Sequence, residues 1–418
     1  MNWIKKNIAL ASYVKLSLMA IFFFFHSMTW AQPIDIVIKN GHVYDPKNDI
    51  DQVIDIAITD GKIQKVAEKI DTQQAEKVIE ASGLWVSPGF IDIHTHVFVG
   101  PNANKFANGS NSITPDDFTF RAGITTVVDA GTSGWRNFPL FKSQVIEQSK
   151  TRVLAFLNIV GTGMTGDELQ HNLHEMDAVK TAETIRNNKA HIVGVKIGHF
   201  EEASWVPFNR AIDACNMVDL PLFVECHLPE YSLGDQLARM REGDIITHTF
   251  ENVKEREPIV DNNGKVLPVV LEARDRGILF DVGHGGSGFW FNQAIPAFKQ
   301  GFWPNSFGTD MHKFSVNRGM KDMLNVMSKF LNMGMPIRDV LLRASWRPAQ
   351  AIKRTDLGHL SVGAVADIAI IRIAEGNFGY VDARDNRIAG DRKLIAEMTI
   401  RDGKIAWDLN GLSARKFR

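Results

Sequence analysis

Two patterns of apolar and polar positions divide the chain into its ends and its middle. Near the N-terminus, short segments such as residues 34–38 alternate apolar and polar side chains, which is typical of half-buried β-strands. Asp60-Gly61 separates two such segments and favours a tight hairpin, since both central positions need positive φ. Asp402-Gly403 repeats this design near the C-terminus. We therefore predict one small β-sandwich domain built from both termini, residues 32–85 and 355–418.

The middle of the chain alternates apolar segments with stretches of helical spacing. Segments of this kind, bounded by turn residues, are typical of strands buried on both faces. There are eight of them, at residues 91–94, 125–129, 153–159, 192–197, 222–227, 244–249, 277–282 and 306–310. Eight strands alternating with helices predict a (β/α)8 TIM barrel over residues 86–354. The predicted fold class is α/β.

The first 31 residues have the pattern of a secretory signal peptide. Lys5, Lys6 and Lys15 precede an apolar run at residues 16–25, and small residues lead up to Ala31. The run is shorter than the roughly 20 residues that span a bilayer. We expect cleavage after Ala31, and a secreted, periplasmic protein with no membrane contact after cleavage.

The charge of the chain limits the classes of partner that we expect, and its cysteines are few. The formal net charge is −1, and removal of residues 1–31, which carry three lysines and no acidic residue, takes it to −4. No basic patch is evident, so we expect a small-molecule substrate and no nucleic acid; homo-oligomerisation is left open. The two cysteines, Cys215 and Cys226, could pair in an oxidising compartment, but we expect them to be buried free thiols.

Polar residues end several predicted strands, where a barrel carries its chemistry. His94 and His96 share a face because strand side chains alternate with period two. Any one of the histidines could be structural by itself, but a lysine and an aspartate buried in a barrel are costly unless they bind something. Together these residue types predict a divalent-metal site. The candidate ligands are His94, His96, Lys196, His227, His248 and Asp310.

Lys196 distinguishes one metal ion from two. An ammonium group buried beside metal ions loses hydration and is repelled by their charge, which favours the neutral amine. A neutral amine reacts with carbon dioxide to give a carbamate, whose two oxygens can bridge two metals. The alternative is an ordinary salt-bridged lysine.

The residues Pro-Gly-Phe-Ile-Asp-Ile-His-Thr-His at 88–96 resemble the opening motif of the amidohydrolase superfamily, in its binuclear, carbamylated-lysine form. The resemblance covers nearly the whole chain after residue 31. Val-Lys-Ile-Gly at 195–198, the glycine-rich segment 281–289 and Gly-Thr-Asp at 308–310 resemble the dihydroorotase-like amidohydrolase/deacetylase branch.

This resemblance implies two divalent metal ions, with zinc expected. His94, His96 and Asp310 would bind the more buried ion, His227 and His248 the more exposed one, and carbamylated Lys196 would bridge them. A hydroxide shared by the metals would attack the substrate carbonyl, with Asp310 as general base and then acid.

The implied reaction is cleavage of an amide or acyl ester bond in a small molecule, such as an N-acyl amino acid, an acetylated hydroxy acid or a cyclic amide. A lactonase or esterase on the same metal centre and a mononuclear hydrolytic deaminase are the alternatives. A non-catalytic member that uses this set of residues to bind a partner is disfavoured by the presence of Asp310.

Residues around the expected metals are predicted to contact substrate or support the site. His284 and Glu230 are the predicted substrate contacts. Asp92 is expected to orient the metal ligands without binding the metal itself. We predict His199 to be a loop residue. The histidines given no role in the site are His171, His174, His191 and His312.

Overall fold

The computed structural model describes residues 34–226, 228 and 230–417. The predicted signal peptide and the predicted ligand His227 therefore lie outside the described residues. The described chain forms two sheets, one built from its ends and one from its middle. No helix in this part of the chain is long and apolar enough to cross a bilayer.

Strands from both ends of the chain pair with each other, as predicted, but they form one eight-stranded sheet, and the β-sandwich stays a prediction. Its central junction is the antiparallel pairing of β5 with β14, in which Ser87 lies opposite Ala369. The order is β16-β15-β14-β5-β1-β2-β3, with β4 paired to β1. The strands are β1 (Ile34–Asp45), β2 (Ile50–Thr59), β3 (Lys62–Ala67), β4 (Ala75–Glu80), β5 (Trp85–Pro88), β14 (Ile368–Val381), β15 (Arg387–Arg401) and β16 (Lys404–Asp408). The domain boundaries proposed above stay predictions.

The two predicted hairpin turns lie against each other. Asp60 and Gly61 have φ of 51° and 74°, and Asp402 and Gly403 have φ of 53° and 70°. A Cβ atom on Gly403 would lie 2.5 Å from the Cα of Gly61, so the contact requires glycine there. Turns that are more than 300 residues apart in sequence thus dock the two ends of the chain together.

The middle of the chain forms a curled parallel sheet of seven strands in the order β6-β8-β9-β10-β11-β12-β13. These are β6 (Phe90–Thr95), β8 (Ile124–Gly134), β9 (Arg152–Asn158), β10 (Ile192–Gly198), β11 (Leu222–Glu225), β12 (Ile245–Ile246) and β13 (Leu279–Phe280); β7 (Val99–Asn102) lies outside both sheets. Five strands are entirely buried: β6, β8, β10, β11 and β12. In β9 every residue except Arg152 is buried, and in β13 Phe280 is buried. The prediction of apolar strands covered on both faces is confirmed for these five.

Ten α-helices are present among the described residues, most of them between or after the strands of the parallel sheet. They are Phe138–Phe141, Glu168–His171, Ala178–Asn187, Val206–Val218, Leu233–Arg239, Pro268–Asp275, Phe291–Lys299, Met323–Asn332, Ile337–Ala344 and Trp346–Ala351. Cys215 and Cys226 are both free and buried, as expected.

The eighth predicted strand, residues 306–310, is not a regular strand. Its segment instead makes isolated contacts on both sides: Val282 N donates to Ser306 O at 3.1 Å, and His96 N donates to Met311 O at 2.9 Å. The left-handed backbone of Asp310, with φ of 51°, ends the extended run between these two contacts. The segment therefore passes between β13 and β6 without forming a ladder.

Candidate functional site

Buried polar side chains collect where the parallel strands end at their carboxyl termini. They come from β6, β10 and β11, and from the segments that follow β12 and β13. The buried members are His94, His96, Lys196, Glu225, His248 and Asp310. Five of these are predicted metal ligands, and the structure brings them to one place.

The first cluster consists of His94, His96 and Asp310. Asp310 Oδ1 lies 3.0 Å from Nε2 of His96 and 3.5 Å from Nε2 of His94. One potential ligand atom from each residue lies within 4.8 Å of the others. The alternation along β6 turns both histidines to the same side, as the sequence predicts.

The second cluster consists of His94, Glu225 and His248, again with ligand atoms within 4.8 Å of one another. His248 Nε2 lies 2.8 Å from Glu225 Oε1, and His94 Nε2 lies 3.8 Å from Glu225 Oε2. His94 therefore belongs to both clusters, so the two candidate metal sites are adjacent.

A chain of hydrogen bonds fixes the orientation of His94. Its Nδ1 lies 2.9 Å from Thr247 Oγ1, and the Thr247 hydroxyl donates to Asp281 Oδ2 at 2.9 Å. Because that hydroxyl proton is used on Asp281, the proton between His94 and Thr247 must come from His94 Nδ1. The lone pair of His94 then lies on Nε2, on the side of both carboxylates.

His248 is oriented by the same kind of contact. Its Nδ1 lies 2.6 Å from the carbonyl oxygen of Gly283. A carbonyl only accepts, so Nδ1 carries a proton and Nε2 points towards Glu225. Burial by itself lowers the pKa of His248, but the Glu225 carboxylate outweighs burial and raises that pKa to about 9.

These residues fit a divalent metal ion. Buried His94 Nε2 has no hydrogen-bond partner among the described residues, although such nitrogens are nearly always satisfied. Burial lowers the pKa of His94 to about 4, so the ring is neutral and has a lone pair to give. Histidine nitrogen with carboxylate oxygen is a donor set that zinc and related metals accept.

Lys196 is paired with a carboxylate of the second cluster, one that was not among the predicted ligands. Its Nζ forms an ion pair with Glu225 Oε2, and it lies 4.9 Å from the centre of the Phe223 ring. Burial by itself raises the pKa of Glu225, but Lys196, His199 and His248 outweigh burial and hold that pKa well below its usual range. Glu225 is therefore ionised and serves as counter-ion to the lysine.

Asp310 is held in place by a contact across the sheet. Asp92 accepts hydrogen bonds from the Thr309 hydroxyl at 2.5 Å and the Thr309 N–H at 3.0 Å, and its Oδ1 also accepts from His94 N at 3.1 Å. Asp92 thus ties β6 to the residue before Asp310, in agreement with its predicted orienting role. Burial raises the pKa of Asp310, but His312 and His94 outweigh burial and hold the pKa well below its usual range.

A cavity of about 550 Å³ opens onto both clusters. Four ligand candidates, His96, Glu225, His248 and Asp310, line it. Its lining also includes Asn111, His199, Ser287, His312, Arg318 and Arg384. The volume suits a small molecule.

Two histidines that we did not place in the site line this cavity. We predicted that His312 has no role in the site. That prediction was wrong about its position, because His312 lines the cavity and its Nε2 lies 3.7 Å from Asp310 Oδ2. His199 is a loop residue, as expected, but its Nε2 lies 3.0 Å from Glu225 Oε1.

The two predicted substrate contacts are not among the residues that line the described cavity. His284 is fully buried, where its Nε2 lies 2.8 Å from Lys329 Nζ and its ring stacks on Phe289 at 4.9 Å. Glu230 is exposed. Their substrate-binding roles stay predictions, as does the metal-binding role of His227, which lies outside the described residues.

The residues that the sequence analysis missed carried a usable signal. Glu225 precedes His227 by two positions and His312 follows Asp310 by two. For the first pair the signal is period-two alternation along the predicted strand 222–227. For the second pair it is only closeness in sequence, since the backbone of Asp310 is left-handed. An acidic residue within an otherwise apolar predicted strand is also a reason to suspect a site.

No family model matches the chain. Among curated proteins, a deacetylase of Brucella anthropi is 31% identical over 343 residues, which cover 80% of this chain and 83% of the relative. A deacetylase of Agrobacterium fabrum is 30% identical over 333 residues, which cover 78% of this chain and 79% of that protein.

Solved structures agree with these relatives. The crystal structure of an adenine deaminase superposes with a TM-score of 0.81 at 27% identity, covering 90% of this chain and all of that one. A dihydroorotase structure superposes with a TM-score of 0.78 at 25% identity, covering 88% of this chain and 98% of that one. With its metal-binding groups on this fold, the chain belongs to the amidohydrolase superfamily, in the dihydroorotase-like deacetylase branch, and is a metal-dependent hydrolase of carbon–nitrogen bonds.

Proposed function

We propose that the protein is a binuclear hydrolase that cleaves an amide or acyl ester bond in a small molecule, such as an N-acyl amino acid, an acetylated hydroxy acid or a cyclic amide. The observation that carries this proposal is the pair of ligand clusters that share His94. The deacetylase names of two relatives support removal of an acyl group.

The residues that would hold the metals come from the two clusters and from the sequence prediction. His94, His96 and Asp310 would bind one ion. His248 of the second cluster would bind the other, together with His227, a ligand predicted from the sequence alone, and zinc suits these donors. When bound, the metals would supply a Lewis acid for the carbonyl and lower the pKa of water.

Lys196 would join the two ions as a carbamate. Carbamylation turns a buried cation into an anion, so Glu225 would lose the counter-ion it has in the ion pair. His199, whose Nε2 lies 3.0 Å from Glu225 Oε1, is placed to take over that pairing. The competing arrangement keeps Lys196 as an ammonium group and makes Glu225 the shared carboxylate.

The chain's own part in the reaction is to move one proton and to hold the reacting groups still. Asp310 is ionised, faces the cavity and is the proton acceptor we propose for the attacking water. The same carboxyl would then protonate the leaving amine or alcohol. Asp92 and Thr309 fix its position through two hydrogen bonds.

Two further proposals concern the closure of the barrel and the N-terminal segment. Segment 306–311 would complete an eight-stranded barrel, a view supported by its contacts to both edges of the seven-stranded sheet. Residues 1–31 would direct the protein to the periplasm, a view supported by their lysines and apolar run.

A substrate panel tests the proposed reaction. The metal-loaded enzyme would be assayed on N-acyl amino acids, acetylated hydroxy acids, cyclic amides and lactones, and on adenine as a deaminase substrate. We expect turnover of at least one acyl compound, its loss after chelation and its return with added zinc. Ammonia release from adenine without any acyl hydrolysis would contradict the proposal in favour of a deaminase.

A further inference from the structure

The sheet built from the two ends of the chain contributes a residue to the cavity. The hairpin between β14 and β15 carries Arg384, which lines the cavity together with Asp310 and His248. This hairpin is more than 70 residues beyond Asp310 in sequence. It is therefore a separate element that reaches the mouth of the site from another part of the fold.

Asp382 anchors this hairpin to the parallel-sheet part of the chain. Its buried carboxylate accepts from Arg384 N at 2.8 Å and Asn386 N at 2.9 Å within the turn, and from Phe291 N at 3.1 Å across the interface. Ala383 N also donates to Phe289 O at 2.9 Å. The position of the turn relative to the cavity is thus fixed by hydrogen bonds on both sides.

A second arginine approaches the hairpin from the segment that follows Asp310. Arg318 lines the same cavity, and its neighbour Gly319 packs so closely on the turn that a Cβ atom there would lie 2.4 Å from Asp382 O. Lys329 Nζ donates to Gly319 O at 2.6 Å from below. The two arginines therefore come from segments that interlock at residues 319 and 382.

Both arginines leave their charge available at the mouth of the cavity. In the part of the chain that the structure describes, neither guanidinium forms an ion pair with a carboxylate. Arg384 lies over the Trp290 ring at 4.6 Å, and the Trp290 indole N–H donates to Ser287 O at 2.7 Å. A guanidinium held over an aromatic face keeps its N–H groups free for an anion.

The wall of the cavity also has an unsatisfied polar group. Asn111 is 7% exposed, and its side-chain oxygen has no hydrogen-bond partner within the described residues. A buried carboxamide in this situation is expected to meet a ligand. The cavity is thus equipped for a polar molecule that carries an anionic group at its outer end.

We propose that Arg318 and Arg384 form an anion subsite that binds a carboxylate of the substrate and selects anionic acyl compounds over neutral ones. Arginine suits this task because its planar N–H groups match a carboxylate in two-point contact. This inference rests on the proposed hydrolase function and adds the charge of the substrate and the residues that read it.

Paired substrates test the subsite. The zinc-loaded enzyme would be assayed on N-acetyl amino acids and on the matching N-acetyl amino acid amides, in which an uncharged carboxamide of similar size replaces the carboxylate. Arg384→Gln and Arg318→Gln are each expected to lower kcat/KM for the acids by about tenfold, mainly through KM, and to leave the amides unchanged. Arg387→Gln, in the same hairpin but outside the cavity lining, is the control for overall charge.

Each outcome has a definite meaning. Equal losses on acids and amides, or losses as large in Arg387→Gln, would overturn the subsite while leaving the hydrolase intact. No turnover of any acyl compound by the unaltered enzyme would instead contradict the proposed function. Competition by inorganic phosphate that both variants weaken, with unchanged kinetics on the acids, would overturn the assignment to a carboxylate.

Discussion

The Lys196 ammonium group pairs with the Glu225 carboxylate inside the parallel sheet, where both side chains are almost fully buried. The two residues lie on adjacent strands, with Glu225 opposite Gly198 in the register of β10 and β11. A buried pair of this kind contributes little net stability, but breaking it leaves an uncompensated charge. The site is therefore sensitive to the loss of either partner.

Glu225→Gln should destabilise the metal-free protein because it leaves the Lys196 ammonium group buried without a carboxylate. We expect a loss of about 3 kcal/mol in the free energy of unfolding, measured by denaturant titration in the presence of a chelator. The double variant Glu225→Gln with Lys196→Met removes both charges and should recover most of that loss. A single variant as stable as the unaltered protein would refute this account of the pair.

Thr247→Val should weaken metal binding without touching a ligand. It removes the hydroxyl that links His94 Nδ1 to Asp281, and the imidazole loses its fixed orientation. Loss of such a supporting contact typically lowers metal affinity by about 10–100-fold, which competition with a fluorescent chelator would measure. Thr249→Val is the matched control, since its hydroxyl donates only to Asp281 O. Equal effects in both variants would mean that the hydrogen bonds from His94 through Thr247 to Asp281 have no special role in metal binding.

Asp310→Asn should separate catalysis from the remainder of the metal site. The amide keeps an oxygen near His94 and His96 but no longer accepts a proton, so we expect kcat to fall by about 10²–10⁴-fold. Elemental analysis should show that much of the metal remains. Turnover close to that of the unaltered enzyme in a metal-replete variant would exclude Asp310 as the base.

The metal-free protein should lose stability as the pH rises from about 6.5 to 9. His248 has a pKa of about 9 in the folded protein because of Glu225, against an ordinary value of 6.5. The folded state therefore holds this proton more tightly, and the stabilisation is full below pH 6.5 and lost as the pH rises through 9. The expected fall in unfolding free energy is about 3 kcal/mol. His248→Gln should remove this part of the pH dependence; an unchanged fall in that variant would contradict the assignment.

The sequence was a good guide where periodicity acts locally. Alternation along β6 predicted that His94 and His96 face one side, and the Asp60-Gly61 and Asp402-Gly403 turns have the predicted positive φ. These features depend on neighbouring residues alone, so single-chain patterns suffice.

The residues that the sequence did not reveal depend on partners distant along the chain. Glu225 matters because it pairs with Lys196 on the adjacent strand. Arg384 reaches the cavity because the β14–β15 hairpin is hydrogen-bonded to Phe291. The segment at 306–310 was predicted as a strand, yet it forms only isolated bridges, and the left-handed backbone of Asp310 ends its extended run. Neither side-chain pairing across the fold nor a positive φ at a non-glycine residue is visible in periodicity.

The metal content of the active enzyme, measured together with the mass of the intact chain under native conditions, tests the central claim most directly. We predict two metal ions per chain and an added mass equal to one carbon dioxide that maps to Lys196 and is absent from Lys196→Met. One metal ion per fully active chain, with Lys196 unmodified, would contradict the binuclear carbamate account.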